Sequence, residues 1–479
     1  MGIVRNEVHL NTIIQEYLKR KSCYVEDRLW IIKKSSLGGF GIFAERDIQA
    51  GEIIFIDSPV LLGPRCVPDI PIQCTICYRK INLITCNKNC HLTICNSCVD
   101  SDIHSNECNL IRKLKTNKDF KEGDKEKLTK CLTPLRSLIL NEEDLKVVSI
   151  LKSHRGDQHG KEVDILTEQL GLNITEEEKK FMYFVCTVLD ANAFEVLTDV
   201  EDNMNSVRGL YPLGSLANHS CFPNAFHVFG EKHKMIVRAG VFIPKNSEIF
   251  HAYTRLLWGT ITRKFHLKNS KHFICKCERC MDPTEFGTYM TAIYCEKCKG
   301  NLLPQKTSSW QCEICNSKQN VGRILTMIGS VLNGFEADDF DRMHTFLNKK
   351  LPLYMPQTNQ VAVELKYKII WILGYRSGYL WENDLIVDLP SRLILLKKRY
   401  CQDILELIKK LRTGKCKTRG LLCYELYLCN KELKSRDDTE GWDGENITET
   451  YLLEAVDILK YDIGAPDLIK EKKAQLNGY

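Results

Sequence analysis

The sequence predicts an α+β protein: one β-fold built from small sheets, interrupted by insertions and followed by a helical tail. Three observations carry this reading. β-like segments lie on both sides of a cysteine-dense module and a helical stretch, at residues 29–58 and 225–251. The 23 cysteines of the 479-residue chain fall mostly into three dense groups. From about residue 320 onward the apolar spacing is helical, without a strict repeat period. A hydrophobic fraction of 44% is enough to bury real cores and excludes a disordered chain. The formal charge of +6 is mild and points to no particular partner. No apolar run approaches the roughly 20 residues of a membrane helix, so no membrane partner is expected. The opening MGIVRNEVHLN lacks the apolar core of a secretory signal. A reducing compartment is therefore expected, where paired cysteines read as metal ligands.

In chain order, residues 7–21 have the spacing of a short amphipathic helix. Strand patterns follow at Leu29–Lys33, Ile42–Ala44 and Glu52–Ser58, with a glycine turn at 38–41. A lysine-rich patch near 112–130, balanced by acidic residues, reads as a solvated helix face or linker. Residues 177–199 predict a long apolar-rich helix. A second β-like block includes Ala225–Val228, Met235–Arg238 and Glu248–His251.

The first cysteine group comprises Cys74, Cys77, Cys86, Cys90, Cys95, Cys98, His104 and Cys108, eight ligands that suit two tetrahedral zinc sites. A small module without a core of its own would gain its fold from that metal. His91 reads as a bystander, since the eight are complete without it. Cys275, Cys277 and Cys280 lack a fourth ligand, and the nearest earlier unassigned cysteine is Cys221. Cys295, Cys298, Cys312 and Cys315 form two CxxC knuckles with the spacing of a zinc ribbon. Its surroundings are too weakly basic for a nucleic-acid footprint, so no direct nucleic-acid binding is expected. Fifteen cysteines and one histidine make sixteen ligands for about four structural zinc ions. Eight cysteines remain, with buried free thiol as the default reading for most.

Three further segments stand out. Ser35-Ser36-Leu37-Gly38-Gly39-Phe40-Gly41 is a glycine turn between strands; it fails as a dinucleotide fingerprint because a strand follows it. Gly214-Ser215-Leu216-Ala217-Asn218-His219-Ser220-Cys221-Phe222-Pro223-Asn224 is dense in polar groups. Residues 244–253 end in Tyr253, ahead of the cysteine triplet.

In this order the segments resemble the SET-domain protein methyltransferases. With the eight-ligand module between the glycine turn and NHSCFPN, the chain is similar to the SET-and-MYND (SMYD) family, and the added zinc ribbon resembles its arthropod SmydA-type branch. The resemblance implies a SET β-fold with an inserted MYND zinc module, a post-SET zinc, the ribbon and a TPR-like helical C-terminal domain. It implies S-adenosyl-L-methionine as cofactor, bound by Gly39, Phe40, Gly41, Asn192, Ser215, Asn218, His219 and Phe273, with Tyr253 as the active-site tyrosine. It implies that Cys221 completes the post-SET zinc. In MYND it interleaves Cys74, Cys77, Cys95 and Cys98 with Cys86, Cys90, His104 and Cys108. Phe40 departs from the pattern, standing where typical members carry a basic residue. Lys271 stands where many place a channel tyrosine, and a cation there repels an incoming lysine. Ile94 replaces the usual aromatic before Cys95.

The implied organisation is 1–66, N-terminal helix and first part of SET; 67–112, MYND; 113–205, helical SET insert; 206–266, C-terminal part of SET; 267–318, post-SET zinc and ribbon; and 319–479, helical C-terminal domain. The expected activity is lysine methylation of a histone or non-histone protein in gene regulation, by a monomer in the nucleus and/or cytoplasm. Transcriptional co-regulators would bind through MYND. The alternative is a catalytically weak scaffold recruiting such regulators.

Overall fold

The structure is a computed structural model describing residues 6–476, except 69, 116–119, 154–159, 199–205, 306–308, 337–338, 382–388 and 437–440. The last residues of the predicted SET insert, 199–205, thus lie outside the described ones. The chain divides into two compact units. The first holds residues up to 218, with 227–249 and 461–470; the second holds 219–226, 250–460 and 471–479. The segment predicted as the C-terminal part of SET, 206–266, is therefore shared by both.

The first unit opens with helix α1 (Glu7–Arg20), capped where Asn6 accepts from the His9 N–H, with Glu7 in its first turn and Lys19 and Arg20 in its last. Leu10, Ile14, Tyr17 and Leu18 recur on one face and are buried. The strands in chain order are β1 (Trp30–Lys34), β2 (Phe40–Ala44), β3 (Ile53–Asp57), β4 (Leu61–Gly63), β5 (Leu83–Thr85), β6 (Thr93–Cys95), β7 (Phe194–Leu197), β8 (Ser206–Leu210), β9 (Ala225–Phe229, crossing the unit boundary), β10 (Met235–Ala239) and β11 (Glu248–Ile249). They form three three-stranded sheets, ordered β1-β2-β11, β3-β10-β9 and β4-β8-β7, and the hairpin β5-β6. In each sheet a strand from before the cysteine module pairs antiparallel with one from after the helical insert: β2 with β11, β3 with β10 and β4 with β8. This is the interrupted β-fold read from the sequence. The edge of β1 is closed by Asn11 of α1, whose amide donates to the Ile32 carbonyl (2.8 Å) while its Oδ1 accepts from the Ile32 N–H (3.1 Å).

Helix α2 (Asp102–Leu114) carries His104 and Cys108 one turn apart and continues across residue 112, because Ile111 and Leu114 are buried on the same face. The apolar residues of the zinc module, Leu92, Ile94 and Ile111 among them, share one core with Leu128, Leu132, Leu135 and Met182 of the insert. The module therefore shares the core of its neighbour and does not depend on metal alone. Arg136 stitches the two: it donates to Glu107 (2.7 Å), the Thr75 carbonyl (2.7 Å), the Tyr78 hydroxyl (2.6 Å) and the Leu62 carbonyl of β4.

The helix predicted over 177–199 is shorter. It runs Glu176–Asn192 as α3, started by a Thr175–Glu178 capping box. Ala193 turns extended and Phe194–Leu197 become β7, with Phe194 opposite Gly209 of β8. The short apolar run fits either state; pairing decides it, and the Phe194 ring meets Tyr211 and His227 edge-on at 5.9 and 5.3 Å.

The second unit holds α4 (Thr260–Lys271), which runs through the predicted boundary at 266, and the ribbon strands β12 (Ile293–Tyr294), β13 (Asn301–Pro304), β14 (Trp310–Cys312) and β15 (Lys318–Gln319), paired in chain order. Trp310 is buried against Ile293, Leu302 and Val321. Beyond it the unit is helical, with a core that includes Leu347, Ile369, Ile394, Ile404, Leu422 and Leu426. No helix among the described residues is long and apolar enough to cross a membrane. Of the eight unassigned cysteines, Cys66 and Cys416 are half-buried and the other six buried, none in a disulfide.

One buried carboxylate links this scaffold to the site. Asp57, at the end of β3, is 0% exposed and accepts from the backbone N–H of Leu213 (2.8 Å), Gly214 (2.9 Å) and Ser58 (2.8 Å). It holds the 3₁₀ turn Gly214–Leu216 that leads to Asn218. Burial pushes its pKa up to about 7, against the pull of the three donors. Asp57→Ala should lower stability by about 2–4 kcal/mol, since two buried N–H groups lose their partner. The folded chain holds this proton more tightly than the unfolded chain. Its contribution should therefore fall as pH rises from about 4 to about 7. Urea denaturation across that range should show this fall in the native chain and not in Asp57→Ala.

Candidate active site

The residues singled out in the sequence fall in two groups, one in each unit. In the first unit, the Ser35–Gly39 turn closes through Ser35 N–H to the Gly39 carbonyl and Gly38 N–H to the Ser35 carbonyl, both 3.1 Å. Gly38 and Gly39 take φ of 95° and 73°, which side chains rarely adopt, and nothing stands within 4 Å of a Cβ built at Gly39. Gly41 has a different reason. A Cβ there would lie 2.1 Å from Glu248 Oε1 and 3.0 Å from Asn218 Nδ2. That amide donates to Glu248 Oε1 (2.7 Å) and to the Phe40 carbonyl (3.1 Å), so Phe40 takes part through its backbone.

Asn192, the last residue of α3, spends its amide on the carbonyls of Lys152 (2.6 Å) and Val188 (2.8 Å). Ser215 Oγ donates to the carbonyls of Tyr211 (2.6 Å) and Asn192 (3.3 Å), which brings these two predicted residues together.

In the second unit, residues 219–225 are laced to 250–253. Ser220 N–H donates to the His251 carbonyl (3.0 Å) and Ala225 N–H to the Phe250 carbonyl (3.3 Å). The Phe250 N–H donates to Asn224 Oδ1 (2.7 Å), and the Tyr253 N–H to His219 Nδ1 (2.9 Å). His219 Nδ1 therefore carries no proton, and Nε2–H faces Cys221 Sγ at 3.1 Å. Burial pushes this imidazole down to about 4, so it is neutral at pH 7. The His219 ring lies 5.2 Å from that of Tyr253 and 5.9 Å from that of Phe273. Lys271 Nζ stands 5.9 Å from the centre of the Tyr253 ring.

The sixteen predicted ligands stand in four groups, each with its ligand atoms within 4.8 Å of one another: Cys74, Cys77, Cys95, Cys98; Cys86, Cys90, His104, Cys108; Cys221, Cys275, Cys277, Cys280; and Cys295, Cys298, Cys312, Cys315. Tetrahedral zinc with sulfur at about 2.3 Å requires sulfurs about 3.8 Å apart. The Sγ separations include 3.7 Å for Cys77–Cys95, 3.9 Å for Cys221–Cys275 and 3.7 Å for Cys295–Cys315. His104 Nδ1–H is spent on the Val99 carbonyl at 2.6 Å, which leaves Nε2 for the metal, 3.6 Å from Cys90 Sγ. His91 instead meets Lys115 Nζ at 3.0 Å, outside the ligand set.

Charge makes a second argument for the metal. Beside the third group, the side chains of Arg263, Arg279 and Glu285 are all 0% exposed. Glu285 Oε2 binds Arg263 at 2.7 Å and Arg279 at 3.1 Å. Burial alone would push Glu285 up, but the two guanidiniums hold it below its ordinary value. Two cations against one carboxylate leave a buried positive charge, which is costly unless balanced. A zinc tetrathiolate, with two net negative charges, balances it, and Arg263 Nη2 lies 3.6 Å from Cys280 Sγ. Arg279 also donates to the carbonyls of Cys221 (3.1 Å), Leu256 (2.8 Å) and Trp258 (2.9 Å), pinning the chain just after Tyr253. Sequence reading missed Glu248, Asp57, Arg263, Arg279 and Glu285. Only Arg279, inside the Cys277–Cys280 knuckle, carried a local signal.

This geometry defines a zinc-stapled SET protein, and the SET domain family model matches residues 39–254. The SET domain-containing protein SmydA-8, isoform B, of Drosophila melanogaster is 31% identical over 424 residues, covering 84% of this chain and 91% of that protein. The chain belongs to the SET-and-MYND (SMYD) family, in its arthropod SmydA branch. The histone-lysine N-methyltransferase ASHR1 of Arabidopsis thaliana is 28% identical over 342 residues, 64% of this chain and 69% of its own. Among solved structures, Rubisco LSMT bound to AdoMet aligns over 98% of this chain and 93% of that chain, at 14% identity and a TM-score of 0.27.

Metal analysis of the purified chain should give about four zinc ions, and Cys221→Ser should remove about one. A count of two or fewer in the native chain would contradict the grouping.

Proposed function

We propose that this chain is an S-adenosyl-L-methionine-dependent protein-lysine N-methyltransferase. Family membership and the methyltransferase activity named for its Arabidopsis relative support the reading. The observation that carries it is the division of work along one short segment. Asn218 joins the glycine turn, His219 holds the Tyr253 backbone, and Cys221 enters the zinc group. We extend the proposal to a histone or non-histone lysine substrate, a role in gene regulation, monomeric action in the nucleus and/or cytoplasm, and co-regulators bound through MYND.

The residues fit the cofactor. Gly39 leaves open space at its backbone, and the Asn218 Oδ1 accepts no hydrogen bond from the described residues. In the first unit, Gly39, Phe40 and Gly41 would hold it through backbone and Asn192, Ser215 and Asn218 through polar groups; His219 and Phe273 are assigned to it by the family resemblance alone. When bound, the cofactor supplies an electrophilic methyl group that a neutral lysine amine can accept in line. The chain's own part is then chiefly positioning. The Tyr253 hydroxyl orients the amine. His219 is no base for the amine, because its Nδ1 lone pair is spent on the Tyr253 N–H, its Nε2–H faces Cys221 Sγ, and burial makes the ring a weaker base. Desolvation of the substrate lysine would favour its uncharged amine.

The scaffold reading has one observation in its favour, the Lys271 ammonium beside the Tyr253 ring. Calorimetry should show S-adenosylmethionine binding to the native chain, weakened about tenfold or more by Asn218→Ala or His219→Ala. Absence of binding to the native chain sinks the enzyme reading. Methyl transfer from labelled cofactor to a proteome extract should fall about 10- to 1000-fold in Tyr253→Phe. Lys271→Ala should raise kcat/KM for a lysine peptide about threefold or more by removing like-charge repulsion. A native chain that binds cofactor and transfers no methyl group would favour the scaffold.

A further inference from the structure

The net charge of the chain is concentrated in the segment that carries Tyr253. Residues 249–277 hold two arginines and four lysines and no Asp or Glu, so their formal charge of +6 equals that of the whole chain and leaves 61 basic against 61 acidic residues elsewhere. The first acidic residue after this stretch is Glu278. Arg263 is buried and spent on Glu285. Arg255, Lys268 and Lys276 are exposed, and Lys264 and Lys271 are half-buried. Lys268 and Lys276 form no ion pair among the described residues.

Helix α4 turns this charge into a face. Thr260, Arg263 and Leu267 are its buried residues. On the opposite side Ile261, Phe265 and Lys268 follow at i, i+4 and i+7, with Ile261 42% and Phe265 69% exposed. Lys264, Lys268 and Lys271 make the adjoining row at the same spacing. The helix ends beside the active-site tyrosine, where Lys271 Nζ stands 5.9 Å from the centre of the Tyr253 ring. Between Phe265 and Lys271 the axis rises about 9 Å, which an extended peptide spans in about three residues. Apolar side chains set among ammonium groups complement a segment that is acidic and carries an apolar side chain of its own. A nucleic-acid backbone would meet the lysines but leave Ile261 and Phe265 without a partner. A lysine-rich segment would be repelled.

We propose that the exposed face of α4, with Lys276 beyond it, docks the protein substrate and selects an acidic segment with an apolar side chain about three to five residues from the lysine to be methylated. The inference rests on the methyltransferase reading and deepens it by naming the chemistry of the substrate. An acidic residue next to the target lysine also offsets the repulsion that the Lys271 ammonium exerts on it.

The test reads fluorescence anisotropy on the full chain with short labelled peptides, each holding a single lysine. One carries glutamates and a leucine beside that lysine; in the others the glutamates become glutamine or arginine. The native chain should bind the glutamate peptide about tenfold or more tighter than the glutamine peptide, several exposed ion pairs adding up. At about 1 M salt the difference should shrink to about threefold or less. Lys268→Glu combined with Lys276→Glu should reverse the order, so that the arginine peptide binds about threefold or more tighter than the glutamate peptide. That gain would also show that the variant folds. Phe265→Ala should weaken the glutamate peptide about threefold or more, and its leucine-to-alanine version less than about twofold; it decides the matter if the double variant does not fold. In methyl transfer the preference should appear in KM, with kcat changed less than about threefold. The docking surface is overturned if the native chain binds the glutamate and glutamine peptides alike, or if the native preference survives these substitutions. It is equally overturned if a single-stranded oligonucleotide displaces the glutamate peptide at lower concentration than the unlabelled peptide does. A native chain that shows the charge preference in binding and transfers no methyl group would instead defeat the methyltransferase reading and leave the acidic docking face standing.

Discussion

Tetrahedral zinc takes four ligands at once, and in the third group the fourth comes from far away. Cys221 lies 54 residues before Cys275, and the ion that joins them closes the whole stretch containing Tyr253. Closing such a loop costs entropy that short-range contacts do not recover. Metal binding supplies it in one step, because ligand capture and folding are coupled. His219, two residues before Cys221, then holds the backbone of Tyr253 through its Nδ1. The staple thus fixes the 219–221 segment and, through His219, the backbone of Tyr253 within their unit.

Electrostatics follow from the same ion. Arg263 and Arg279 could not sit fully buried on one carboxylate without a further negative partner. A tetrathiolate provides it, and Arg279 can then use its remaining donors on the carbonyls of Leu256 and Trp258. A structural metal therefore reaches the segment just after Tyr253 by charge compensation as well as by coordination. Around the glycine turn and the 3₁₀ turn of the other unit the device differs: a single carboxylate, Asp57 or Glu248, gathers donors from chain segments remote in sequence.

What was legible in the sequence was whatever obeys short spacing. The CxxC knuckles gave the zinc groups, and the period of residues 7–21 gave α1. The interrupted β-fold was readable because β-like runs flanked the cysteines on both sides. The helix over 177–199 was overextended, because Phe194–Leu197 is too short for periodicity to separate helix from strand, and only pairing with β8 settles it. The residues alone marked Gly41 as part of a turn, and only the family resemblance assigned it to the cofactor; the structure adds that Glu248 occupies the space a Cβ there would need. Glu248, Asp57 and Arg263 act on residues far off in the chain, and no local pattern marks such a partnership. The apolar residues of the zinc module looked too few for a core, since their partners lie in the helices that follow.

Burial differs among the four metal groups. All four ligands of the group at Cys86 are buried, whereas Cys298 and Cys315 of the ribbon are exposed. Ligand exchange and oxidation require a reagent to reach sulfur, so accessibility orders the ions kinetically. The ribbon is the first to exchange and the inner MYND site the last. A preparation short of one zinc ion thus reports the history of its handling before it reports anything about catalysis.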